Sequence, residues 1–217
     1  MPKIVDHDQR RRELAAAVWQ VIARDGVDGI SIRSVAAASG WSSGALRHYF
    51  STRAELLAFA CEEVIEQVTE RIKALRHGDD PVQAVRAILL ETMPVDETRR
   101  TEDSIAFAFL ALGLGDPELA RVQRRHFTDM YELCRQLVQG LAERNALAQT
   151  GWDAETLARR MHAVVDGLTV HGLAGHLTTE EIVAQLDAYL ADLTGVDLTE
   201  QPGELPMRRR DREVRSG

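Results

Sequence analysis

The chain has 217 residues, 45% hydrophobic and 28% charged, enough to bury a core in one large domain or two smaller ones. Aromatics at 5% and a shortage of β-branched runs fit helices better than a sandwich or barrel, and no apolar run reaches the roughly 18 residues of a membrane-spanning helix. The net charge of −8 argues at first against a nucleic-acid partner, but it is unevenly distributed. Residues 1–53 carry Lys3, Arg10, Arg11, Arg12, Arg24, Arg33, Arg47 and Arg53 against Asp6, Asp8, Glu13, Asp25 and Asp28, which makes them +3 and the remainder −11. A local basic face suffices for phosphate contact, and an acidic remainder limits indiscriminate binding. The opening MPKIVDHDQRRREL has no apolar signal core, so a cytoplasmic protein is expected. Cys61 and Cys134 stand far apart in apolar helical patterns without metal-ligand spacing, as buried reduced thiols do.

From His7 to Arg24, Leu14, Val18, Val21 and Ile22 recur at helical spacing, and Gly26 stops the helix. Gly26 to Gly29 reads as a turn, Ser31 caps a short helix to about Ser39, and Gly40 interrupts it. Ser42 or Ser43 caps another short helix to about Phe50. A longer helix begins near Ser51 or Thr52 and buries Leu56, Leu57, Ala60, Val64, Val68, Ile72 and Leu75. His77 to Pro81 ends it, and Pro81 opens a helix that Met93-Pro94 terminates. Residues 97–113 form a helix apolar almost all round, and Asp116-Pro117 opens a long one carrying Leu119, Val122, Met130, Leu133, Leu137 and Leu141. Two helices follow, Asp153 to His176 and Thr178 to Leu193, the second capped by Thr178 or Thr179 with Glu181. Beyond Gly195 a polar tail, 196–217, is expected to be disordered. The expected fold class is all-α, with nine helices and no strand.

Ser31 to Phe50, SIRSVAAASGWSSGALRHYF, carries the function. Two short helices share a tight turn. Ala36 sits at their close crossing, Gly40 takes the turn, and Val35, Leu46 and Phe50 point inward. Ser42, Ser43, Gly44, Ala45, Arg47, His48 and Tyr49 leave a small, polar and basic outer face, the profile of a recognition helix entering a major groove.

This stretch, extended over about residues 9–57, resembles the TetR family of one-component repressors, through G-V-D-G-I-S-I-R-S-V-A-A-A-S-G and S-S-G-A-L-R-H-Y-F-S-T-R-A-E-L-L. V-D-G-L-T-V-H-G-L, Val165 to Leu173, is similar to the BetI-type branch of that family. The resemblance implies a helix-turn-helix DNA-binding domain over 1–51 and an effector-binding and dimerisation domain over 52–195. It also implies roles for single residues. Ser31 caps the second helix and presents its amides to a phosphate, with Arg33 beside it as a backbone or base contact. Ser42, Ser43, Gly44 and Ala45 begin the recognition helix, while His48 and Tyr49 contact phosphate. Arg53 stands where the family usually has lysine, as a phosphate clamp. Arg47 departs from the family's usual tyrosine and can pair bidentately with a guanine edge or rest on phosphate. Arg10, Arg11 and Arg12 offer backbone or minor-groove contacts or a solvated face.

The same resemblance implies a small-molecule effector held by Phe59, Met93, Phe107, Phe109, Leu110, Phe127, Met130 and Tyr131, oriented by His126, His162 and Asp166. Each apolar member of that set, taken alone, is more often core than pocket. Effector binding would swing the fourth helix and release a double-stranded operator. The last two helices would pair with a second copy through Val165, Leu168, Gly172, Leu173, Ile182, Leu186 and Tyr189, with Val164 and Val170 adding apolar surface and Gly167 and Gly175 allowing close approach. Two recognition helices about 34–36 Å apart, or a multiple of a turn, then imply a pseudo-palindromic operator. No nucleophile elbow, G-x-G-x-x-G or H-E-x-x-H is present, so no enzyme, cofactor or metal is expected. A ligand-independent regulator, an activator of the same fold and a helical adaptor without DNA binding stay open from the residues alone.

Overall fold

The computed structural model describes residues 7–76, 78–114, 117–148 and 151–198, and among them every regular element is helical. Lys3, His77, Asp116 and the tail beyond residue 198 lie outside the described residues, as do the side chains of Arg12, Leu112, Leu119 and Val122. No described helix is long and apolar enough to cross a membrane. The chain groups into two compact units, one of residues up to Lys73 with Asp96–Met130, the other of Ala74–Val95 with residues from Tyr131 onward.

In the first unit, α1 (His7–Asp25) buries Leu14, Ala17, Val18, Val21 and Ile22, a stripe at helical spacing. Gly26, at φ 71°, turns the chain into a short 3₁₀ helix, Val27–Gly29, where the sequence indicated only a turn. α2 (Ile32–Ser39) starts at a capping box in which the Ser31 side chain accepts from the Ser34 amide and the Ser34 side chain accepts from the Ser31 amide. Gly40 ends α2 in the left-handed region at φ 73°, which lets the chain reverse into α3 (Ser43–Arg47). Ser42 caps α3 through the Ala45 amide at 3.0 Å, and Thr52 performs the same task at α4 (Arg53–Ala74) by accepting from the Glu55 amide at 3.1 Å. Leu56, Leu57 and Ala60 of α4 share a core with α1 and α2, and Ile105 and Phe109 of α6 (Glu97–Gly113) complete it. Arg71 joins α4 to α6 by donating to both carboxylate oxygens of buried Glu102, at 2.8 and 2.5 Å. Gln123, near the start of α7 (Pro117–Glu143), donates to the carbonyls of Phe109 and Leu110 at the C-terminal end of α6 and so ties the two helices together.

The second unit holds α5 (Pro81–Leu90), the later part of α7, α8 (Ala154–Leu173) and α9 (Thr179–Thr194). Asp80, Asp153 and Thr178 cap the three complete helices, and Glu181 returns the capping box to Thr178. α5 closes at Leu90, earlier than the Met93-Pro94 stop expected, and α8 closes at Leu173, earlier than His176. Arg86 of α5 and Asp187 of α9 form a buried bidentate pair, Nε to Oδ1 at 2.5 Å and Nη2 to Oδ2 at 3.0 Å. Gly172 brings α8 against α9 so closely that a Cβ there would lie 2.5 Å from Ile182 Cδ1 and 3.0 Å from Pro94 Cγ. Leu198 is buried, so the described start of the expected tail packs against the fold.

Candidate nucleic-acid interface

Capping, turn geometry and inward packing together build the α2–α3 pair. Val35, Ala36 and Leu46 are buried between the two helices and α1, and Phe50 rests on Phe59 with ring centroids 5.2 Å apart. With Leu46 turned inward, Ser43 and Arg47, four residues apart, stand on the outer side of α3. Arg33, Ser42, Ser43, Gly44, Arg47, His48 and Tyr49 are all exposed, while Ser31 and Ala45 are half-buried. The Ser42 oxygen is occupied as an acceptor by the Ala45 amide, which leaves its hydroxyl proton free to donate outward. The result is a small-residue helix start flanked by two outward cations, shaped to approach phosphate and base edges.

Arg10, which the sequence left in another role, braces this surface. Arg10 of α1 donates from Nη1 to the Tyr49 hydroxyl at 3.0 Å and lies 5.5 Å from the centroid of Trp41, in the turn between α2 and α3. Trp41 and Tyr49 meet edge to face at 5.5 Å. Arg10 thus ties the first helix to both ends of α3. No sequence pattern relates Arg10 to residues about 30 and 40 positions away; only the α1–α3 crossing does. Arg11 differs from the outward contact considered for it. Its Nε pairs with Glu63 Oε1 at 2.5 Å, and its guanidinium covers the Phe59 ring at 5.0 Å. Burial pushes the Glu63 carboxyl above its ordinary range, and the Arg11 charge opposes that shift.

Arg53 is likewise engaged within the chain. It donates from Nε to the Ile30 carbonyl at 3.1 Å and from Nη2 to the Val27 carbonyl at 3.2 Å, with Asp28 Oδ1 at 3.3 Å.

The residues expected around an effector are divided between the units. Phe59 and Phe109 are core of the first unit, because Phe50, Leu56 and Ile105 fill the space around them. Met93 is fully buried in the second. Phe107, Leu110, His126 and Met130 are half-buried and Phe127 is exposed, all in the first unit. In the second, the Arg159 guanidinium lies over the Tyr131 ring at 5.0 Å, and His162 Nε2 is 3.3 Å from Asp166 Oδ2, one helical turn away.

The expected subunit contacts divide in the same way. Val165, Gly172, Ile182 and Leu186 are buried within their own unit, where α8 and α9 pack on each other. Leu168, Leu173 and Tyr189 keep part of their surface outside, and Val170 is 44% exposed. Burial pushes the Tyr189 hydroxyl up to about 12.

Residues 14–59 match the family model for bacterial regulatory proteins of the tetR family, and residues 81–195 match that for the C-terminal part of BetI-type transcriptional repressors. The HTH-type transcriptional regulator PksA of Bacillus subtilis is 41% identical over 182 residues, covering 80% of this chain and 83% of that protein. The HTH-type transcriptional regulator BetI of Stenotrophomonas maltophilia is 30% identical over 79% of this chain and 85% of its own. Among solved structures, a transcriptional regulator from Rhodococcus sp. Rha1 aligns with a TM-score of 0.69 at 29% identity, covering 88% of this chain and 96% of that one.

Proposed function

The chain belongs to the TetR family and is a DNA-binding transcriptional regulator rather than an enzyme; from that premise we propose that it is a cytoplasmic homodimeric repressor released from a pseudo-palindromic operator by a small molecule. The observation that carries this reading is the α2–α3 pair, with Ala36 and Leu46 buried, Gly40 left-handed and Arg33, Ser43, Gly44 and Arg47 presented outward. In it α1–α3 read DNA, and the residues from 52 to 195 hold the effector and the partner subunit. Ser43 and Gly44 let base edges approach and Arg47 pairs with a guanine edge, a contact worth about 1–3 kcal/mol of discrimination. Ser42, His48 and Tyr49 position the helix on phosphates. The partly open apolar residues Leu168, Leu173, Val170 and Tyr189 supply the subunit contact, and Tyr131, His162 and Asp166 supply polar groups for the effector. An effector that favours the DNA-released arrangement by about 1–3 kcal/mol lowers operator affinity 5- to 150-fold.

The test is fluorescence anisotropy of the chain on a duplex from its own upstream DNA, with salt varied and Arg47→Ala alongside. Binding by a dimer that weakens steeply with salt, and about tenfold or more with the substitution, supports the reading. Equal affinity for random duplex, both there and in a selection across genomic fragments, refutes it.

A further inference from the structure

A guanidinium at the start of α4 holds two main-chain carbonyls of the α1–α2 turn, and this juxtaposition assigns Arg53 a task different from phosphate contact. We infer that Arg53 is a positioning residue, a clasp that sets how the α2–α3 pair is presented to DNA.

The geometry is specific. Arg53 is the first residue of α4, and it reaches back 23 residues to Ile30 and 26 to Val27. Ile30 immediately precedes Ser31, the cap of α2, and is 1% exposed. The Val27 carbonyl also accepts from the Ile30 amide at 3.2 Å, closing the 3₁₀ turn. The Gly29 carbonyl accepts from the Ser34 hydroxyl at 2.8 Å. Side chains therefore hold the Val27, Gly29 and Ile30 carbonyls on the way into α2, two of them through Arg53. Because α3 hangs from α2 through the Gly40 turn, whatever aims the start of α2 aims both helices.

Two features separate this role from a surface ion pair or a phosphate clamp. Asp28 is fully exposed, so its contact at 3.3 Å adds little, and the two carbonyls are the contacts that matter. They are also met by donors on one edge of a planar guanidinium. A lysine ammonium, a point donor on a shorter stem, cannot reproduce that fork, although it serves a phosphate well. Lysine is therefore the discriminating substitution: it keeps the charge and removes the clasp.

The inference rests on α2–α3 being the DNA reader, and the experiment keeps the two apart. A duplex selected by the wild-type chain from a random-sequence pool is titrated with wild type, Arg53→Lys, Arg53→Gln and Asp28→Asn. The temperature is one at which circular dichroism shows every variant folded. The clasp predicts that Lys and Gln both weaken binding about tenfold, that Asp28→Asn does not, and that the Lys variant keeps the wild-type slope of log K against log salt. It also predicts faster hydrogen exchange at the Ile30 and Ser34 amides in Arg53→Lys without DNA. Wild-type affinity in Arg53→Lys, with a salt slope smaller by about 0.9 in Arg53→Gln, would identify a phosphate clamp and overturn the clasp. Unchanged exchange in Arg53→Lys overturns it as well. If the wild-type chain selects no duplex, the DNA reading fails and the positioning role falls with it, even where exchange still reports the two carbonyl bonds.

Discussion

Removing the carboxylate of Asp187 should be among the most damaging single changes in the C-terminal unit. Its side chain is 10% exposed and that of Arg86 5%, and the two meet through parallel hydrogen bonds at 2.5 and 3.0 Å between helices 101 residues apart. Asp187→Ala leaves a guanidinium buried without its counter-charge, a change that costs about 3–5 kcal/mol. For a chain of this length, 1 kcal/mol moves the melting midpoint by about 2–4 °C, so a loss of about 6–20 °C is expected. Urea denaturation at pH 7, followed by circular dichroism, measures the loss directly. The informative partner is the double variant Arg86→Met with Asp187→Leu, which replaces both charges by apolar bulk and should lie within about 1 kcal/mol of wild type or above it. A single variant that loses less than about 1 kcal/mol, or a double variant as damaged as the single, would refute the argument that the unpaired charge sets the cost.

Gly172→Ala should cost about 1–3 kcal/mol in the same urea assay, because the added methyl meets Cδ1 of Ile182, whose side chain is fully buried, and the ring of Pro94. Gly40→Val should destabilise the α2–α3 turn and weaken DNA binding, since φ 73° disfavours a branched side chain, and anisotropy on the selected duplex measures it. Burial pushes the Cys61 thiol from its ordinary 9.0 up to about 12. Its contribution is therefore intact below pH 9 and lost as pH climbs toward 12, so Cys61→Ala should flatten the alkaline fall in stability over that window. In the native chain at pH 8, Cys61 and Cys134 should both resist a thiol reagent that labels them in urea.

Local chemistry carried most of the helix boundaries. Serine, threonine and aspartate caps, a left-handed glycine and apolar residues at helical spacing act within a few positions, so Ser31 and Gly40 could be assigned from the chain alone, and the caps of α3 and α9 narrowed to Ser42 or Ser43 and Thr178 or Thr179. The outward face of α3 was legible for the same reason. Burying Leu46 and Phe50 leaves Ser43 and Arg47 nowhere to go but out. The 3₁₀ turn and the early ends of α5 and α8 were not, because helix ends depend on which carbonyls the surroundings satisfy.

Partnership over distance is what the tertiary structure alone decided. Arg10, Arg11 and Arg12 are one basic run in the sequence. Yet Arg10 ends on Tyr49 and Trp41, and Arg11 on Glu63 and Phe59, because neighbouring residues on a helix point about 100° apart and meet different elements. Helical spacing marked Val165, Ile182 and Leu186 as apolar, but an apolar stripe reads the same whether it faces its own chain or a second copy, and only the tertiary structure shows these three buried within the chain itself. The sequence by itself determined where the helices start and which face of α3 meets solvent, because those are settled by neighbours within a turn or two. Which charge is neutralised, which glycine is crowded and whether Arg53 is spent on its own backbone were decided only when helices many residues apart came to share a core.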